Sequence, residues 1–413
     1  MLRIALRVLL VVAAFFGGFQ TAAEAADYYV NGDALTDGDG SQNSPWQAIH
    51  VSVMGAGDTQ HIKASKKPYT SFYIQNIDGC SSAAGITFVG ESGPGGQYPT
   101  VISIAKTNGQ TVQIPNGSCI HIRNFSITNP IGINPNGACV LVGTDGSPAT
   151  AHHIDLDHLE VHDCGGSGIG ITWADYVTIQ YTDSWNNGAT VGNYAGSAFS
   201  NYEPTSVPGD TASGPCYGVA ASIGAGFRNC FVNLRCWNTK TGVLQATDGN
   251  CVIIDDWKCL QHQDTNCNGT NYVYAGHVTG ITCWDNDGPC VHVYSTNTHI
   301  KVDHITSYGD CRICGSTRGS VDSYQSQGQL EFSCMTIQAL SHYPFDANGA
   351  DSNTTITLTG NNLYGGTGPY HYDDSAGTFS ASGNIRTVPT FVSTSLTGMS
   401  DLRQTNPPAT ACS

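Results

Sequence analysis

Basic residues are scarce in this sequence: 16 Lys and Arg stand against 32 Asp and Glu, a formal net charge of −16. A surface of that sign repels nucleic acid and anionic lipid, which sets both aside as partners. A polyanionic substrate would need a local basic patch or a metal ion to bridge the charge. Long helical periodicity is missing too. Beyond the N-terminus no apolar run approaches the roughly 20 residues that span a bilayer. What remains is Gly, Asn, Asp, Ser and Thr punctuating short β-branched runs, an all-β signature.

The first residues, MLRIALRVLLVVAAFF, place Arg3 and Arg7 before an apolar stretch from Leu9 to Phe16, and Ala23-Glu24-Ala25 offers an A-x-A cleavage site. This pattern predicts a secretory signal peptide over 1–25 and a soluble, exported chain over 26–413, with no membrane association once the signal is removed. Without Arg3, Arg7 and Glu24 the balance is 14 basic to 31 acidic residues, a net charge of −17. All 16 cysteines follow the signal. An even count in an exported chain predicts disulfides. Expected bridges are Cys251 with Cys290, and pairs within the 259–267 and 311–314 neighbourhoods. Cys311-x-x-Cys314 has no second CxxC beside it and reads as structural.

By length the chain could hold two or three domains, although β-rich architectures often run longer as one. An internal repeat favours one. GSGIGITW (166–173) is followed by YVTIQ (176–180). DGNCVIID (248–255) has a similar shape, DGPCVHVY (287–294) repeats it, and HIKVD (299–303) follows. Such a repeat suits a right-handed parallel β-helix with coils of about 20–30 residues, in which no coil buries its apolar side until neighbours stack on it. The exposed end coils need covers, expected from 27–49 and from the C-terminal segment. The predicted unit is a monomer.

The segments DYYVNGD…NSPWQAI (27–49) and GDTQHIKA (57–64) resemble the entry of secreted pectate-lyase-like β-helix proteins. SGNIRTVPTFV…DLRQTNPP (382–408) is similar to their exit, and ATDGNCVIIDD (246–256) to a central coil. The resemblance covers nearly the whole exported chain and implies the right-handed parallel β-helix. It does not specify the activity, because that superfamily contains lyases, hydrolases, epimerases and phage tailspikes.

Stacked coils put equivalent positions above one another, about 4.8 Å apart, and strand alternation decides which side chains leave the core. Aligning the apolar pairs Ile169/Ile171, Phe199/Asn201, Val252/Ile254 and Val291/Val293 yields an outward column of Gly170, Ser200, Ile253 and His292. A second reads Thr172, Tyr202, Asp255 and Tyr294. Trp173, Glu203, Asp256 and Ser295 fall at the adjoining turn. The long gap between Tyr202 and Asp255 predicts an extra coil within 213–245.

The acid pair Asp255-Asp256 is therefore expected beside His292 and Tyr294, with Lys258 nearby and Tyr202, Glu203 and Trp173 as substrate contacts. For β-elimination on a uronate polysaccharide, Asp255, Asp256 and either Asp248 or Glu203 could hold Ca²⁺ through oxygen ligands. His292, Tyr294 or Lys258 could then move protons. For hydrolysis, the two aspartates could divide the acid and base roles. Polygalacturonases carry NTD, DD, GHG and RIK in that order. Here Asn238-Thr239-Lys240, Asp255-Asp256, Gly276-His277-Val278 and Arg312-Ile313-Cys314 follow the order, but Lys240 and Cys314 depart from it, so a hydrolase does not follow. A non-catalytic glycan-binding protein is the third reading, and the mixture of acids, imidazole and phenols argues against it. The expected partner is an extracellular polysaccharide.

Overall fold

The computed structural model describes residues 24–391 apart from 83, 103–108, 130–136, 145–150, 189–195, 203–228, 242–247, 256–275, 296–298, 315–317, 327, 350–351, 353, 367 and 374–376. Residues 1–23 of the expected signal peptide, and with them Glu203, Asp256, Lys258 and the 259–267 cysteines, lie outside these residues.

Among the described residues there are 31 strands, paired in parallel, and no helix. They form three faces of a right-handed parallel β-helix. The first face runs from Asp27–Asn31 to Thr378–Ser382, the second from Phe72–Asp78 to His371–Tyr372, and both use the long strand Val112–Arg123, which turns the corner between them. The third is a separate ten-stranded sheet from Tyr69–Thr70 to Asn362–Gly365.

Each face turns alternate residues into the core. On the first, Ile122, Leu156, Ile179, Phe231, Val278, Val302, Phe332 and Leu358 stack in register and are buried. On the second, Ile169, Phe199, Val252, Val291, Val321 and Phe345 do the same. These columns merge into one apolar core. Trp46, stacked on Tyr28 at 5.0 Å and bridged to Val30, packs against its N-terminal end.

Corners recur with a fixed backbone. Between the first and third faces Asn124, His158, Tyr181, Asn233, Gly280, His304, Cys334 and Gly360 all have positive φ. The following residue, such as Phe125, Leu159, Leu234, Ile281 or Ile305, drops into the core. Left-handed backbone is costly for residues with a Cβ. Gly280 (φ +69) takes this backbone without that cost, and a Cβ there would displace the Asn233 side chain, whose Oδ1 would lie 2.3 Å away.

Two expectations need correction. Tyr202 pairs directly with Asp255, so no coil intervenes; the strands Asn229–Val232 and Arg235–Trp237 are the other sides of that one turn of the helix. Cys251 and Cys290 do occupy equivalent positions, but each bonds across its own coil, Cys251 to Cys236 and Cys290 to Cys283. All four side chains are buried in the core, and Cys236 and Cys283 are register partners, so the two bridges stack. Cys311 does bond Cys314, and Cys80–Cys119 and Cys139–Cys164 complete the disulfides with both ends described. Among the described residues no cysteine is free.

Cys139–Cys164 closes a loop with a sequence separation of 25. Replacing both cysteines by serine should cost about 3–4 kcal/mol, since the cross-link restrains the unfolded chain. Denaturant unfolding checks this, and an unchanged midpoint would contradict it.

Candidate functional site

The second face carries the predicted columns in the predicted register. Gly170, Ser200, Ile253 and His292 are partners along the stack, as are Thr172, Tyr202, Asp255 and Tyr294. The stack then continues. His292 is followed by Asp322, Asp346 and His371, and Tyr294 by Tyr324 and Asn348. Beyond the second column Trp173 and Ser295 both turn the chain with φ +50, equivalent positions at the strand end.

The first of these columns is a charge network. His292 Nδ1 contacts Asp322 Oδ1, and Arg318 donates to Asp322 Oδ2 at 3.4 Å. On the next coil His371 Nδ1 lies 2.6 Å from Asp346 Oδ1. His292, Asp322 and Asp346 are each about 2% exposed or less. The Asp346 carboxyl is pushed up to about 7, first by burial and then by the adjacent Asp322 charge, against the pull of His371 and Arg318.

The second column is the accessible one. Tyr202 is exposed, while Asp255, Tyr294 and Tyr324 are half-buried. The rings of Tyr294 and Tyr324 stack at 5.8 Å, and His292 stacks on Tyr294 at 5.7 Å. Arg318 lies 5.3 Å above the Tyr324 ring, a cation–π contact. Burial chiefly raises the Tyr294 phenol, the Asp255 charge adds to this, and a hydrogen bond with Ser295 opposes it. Tyr294 is therefore a proton donor at neutral pH.

Of the sequence-predicted residues, Asp255, His292, Tyr294 and Tyr202 share this face, with Trp173 at its margin. Asp248 does not join them. It precedes the strand Val252–Asp255, whose length of about 10 Å separates it from Asp255. Among the described residues, neither group of three metal-ligand atoms includes Asp248 or Asp255, and both groups contain disulfide cysteines. Of the proposed Ca²⁺ set, Asp256 and Glu203 lie outside the described residues. The polygalacturonase-like order also disperses, since His277 points from the first face while Asp255 lies on the second.

Arg318, Asp322, Tyr324, Asp346 and His371 escaped the sequence reading. Their signal was present: VDSY (321–324) repeats VHVY (291–294), and FDAN (345–348) repeats it again. Ser323 and Ala347 replace the second apolar residue of the template and hide the continuation.

The raised Asp346 carboxyl carries a pH consequence. Between about pH 4 and pH 7 the folded protein holds a proton that the unfolded chain has released, so this group's stabilising contribution is lost as pH rises through 7. The slope is up to about 1.4 kcal/mol per pH unit. Asp346→Asn should flatten that slope and raise stability at pH 8; thermal melts across pH 4–8 check it, and an unchanged profile would contradict it.

No protein-family model matches the sequence, and no curated protein does. Among solved structures, a lacto-N-biosidase from Eubacterium ramulus aligns at 12% identity with a TM-score of 0.53, covering 88% of this chain and 68% of that one. An alginate lyase from Paenibacillus aligns at 13% identity and TM-score 0.49, over 87% of this chain and 99% of that one. A pectate lyase aligns at 12% identity and TM-score 0.43, over 89% and 83%. The likeness is one of fold: this chain is a right-handed parallel β-helix.

Proposed function

We propose that the protein is a secreted, carbohydrate-active enzyme that cleaves an acidic extracellular polysaccharide by β-elimination on its second face. The observation that carries this reading is His292 held against Asp322, stacked on Tyr294, with Arg318 alongside. With Nδ1 engaged by Asp322, Nε2 of His292 is left to accept a proton, the orienting role a carboxylate plays toward a catalytic imidazole. In this scheme His292 removes the proton α to the uronate carboxylate. The electron pair forms the new carbon–carbon double bond, the glycosidic C–O bond breaks, and Tyr294 protonates the departing oxygen. Arg318 offsets the charge that builds on the carboxylate. Tyr202, Asp255 and Tyr324 line the approach. No step requires Ca²⁺, and one chain supplies every group.

Disulfides at Cys80–Cys119, Cys139–Cys164, Cys236–Cys251, Cys283–Cys290 and Cys311–Cys314 support export. The similarity to lacto-N-biosidase supports carbohydrate as the substrate class only through shared fold.

Hydrolysis is the second reading. Asp322 and Asp346 sit on adjacent strands, and the latter keeps its proton near neutrality. Glycoside hydrolysis divides its work between one protonated and one ionised carboxyl.

A panel of pectate, alginate, glucuronan and bacterial exopolysaccharides separates the readings. Ultraviolet absorbance of an unsaturated product marks elimination. Reducing ends without it mark hydrolysis, and binding without either marks a glycan-binding module. His292→Ala should lower the elimination rate by about 10²–10⁴-fold, and Tyr294→Phe similarly. Full activity in a folded His292→Ala, Asp255→Asn double variant would remove the site from this face.

A further inference from the structure

His152 and His153 are neighbours in sequence, and on a regular strand their side chains would leave on opposite sides. They do not. His153 has φ +55 and is skipped by both neighbouring ladders: His152 pairs with Ser118 and Asp175, while Ile154 pairs with Ile120 and Val177. Cys119 and Tyr176, the residues skipped on the adjacent strands, each have φ +51. This left-handed corner, repeated on three successive coils, breaks the strand alternation, and here it brings the two imidazoles together. Their Nδ1 atoms are 2.8 Å apart, with the rings inclined at 79°.

The surroundings fix both rings. Tyr176 stacks on His153 at 4.4 Å and 17°. A ligand atom of His153 and the sulfurs of the Cys80–Cys119 bridge all lie within 4.8 Å of one another. His152 occupies a column that reads Asp78, Ser118, His152, Asp175. The Asp78 carboxyl is held below the usual range by hydrogen bonds from Ser118 and from the Cys80 N–H, with His152 adding to the effect. Both rings are half-buried, and carboxylates occupy both ends of the column.

We propose that His152 and His153 chelate a divalent transition-metal ion of tetragonal preference, Cu²⁺, at this corner of the helix. Two nitrogens each about 2.0 Å from a metal stand about 2.8 Å apart when they subtend a right angle, and about 3.3 Å apart at the tetrahedral angle. The observed separation matches the right angle. Imidazole suits copper, and flanking carboxylates favour a dication and can orient the rings. This site is separate from the His292 face and does not rest on the proposed lyase activity.

The test is a titration of the metal-free full chain with CuCl₂, followed by calorimetry and electron paramagnetic resonance. One tightly bound equivalent with nitrogen couplings from two imidazoles is expected. His152→Ala and His153→Ala should each weaken it at least about tenfold, whereas His61→Ala, on the first face beside Asp27 and Glu91, should leave it unchanged. The spectrum of the parent chain stands even if an alanine variant fails to fold. No bound equivalent, a signal without two nitrogen couplings, or parental affinity in both folded variants overturns the site and leaves the pair as a shared-proton hydrogen bond.

Discussion

Parallel, in-register stacking of coils is the constraint on which the rest of this structure depends. Each strand hydrogen-bonds the equivalent strand one coil away, about 4.8 Å along the axis. A residue's surroundings are thus its counterparts above and below. The inward columns of Ile, Val, Phe and Leu follow from this, and so does the repetition of left-handed corners, since a corner that failed to repeat would throw the next coil out of register.

Stacking also decides how charge is handled in an acidic chain. Where a column repeats a carboxylate, as at Asp322 and Asp346, burial and then the neighbouring charge push one carboxyl up to about 7. Where donors converge, the outcome reverses. Burial by itself would raise the Asp303 carboxyl, yet hydrogen bonds from His277, His304 and Thr279 outweigh it and hold the group well below the usual range. Lys301 adds an ion pair at 3.1 Å. Both carboxylates are nearly excluded from water, so partners rather than burial separate them.

Aromatic rings follow the same rule on the third face. His162, Trp185, Trp237 and Trp284 form a continuous stack, with neighbouring rings 4.4–5.0 Å apart and within about 7° of parallel. Phe391 packs with Trp237 and Trp284 on the side of the helix. Within this stack each ring face is used by its neighbour, which makes it a structural spine. On the second face, Tyr202 remains exposed and Tyr294 and Tyr324 half-exposed, and that difference sets the candidate site apart.

Strand alternation and the repeated template determined the fold and the partners of Asp255, His292 and Tyr294, because both are local properties that stacking copies from coil to coil. Three matters needed the tertiary structure. The stretch 213–245 looked like an extra coil, since length along the chain does not say whether residues advance along the axis. Cys251 and Cys290 matched in position, but both side chains are buried in the core, where they bond Cys236 and Cys283 across their own coils. The His292–Asp322–Asp346–His371 row was hidden where small residues replaced the apolar template. The hydrophobic pattern reports which residues point inward; which outward side chains touch, and which lose their water, is settled only when the coils are stacked.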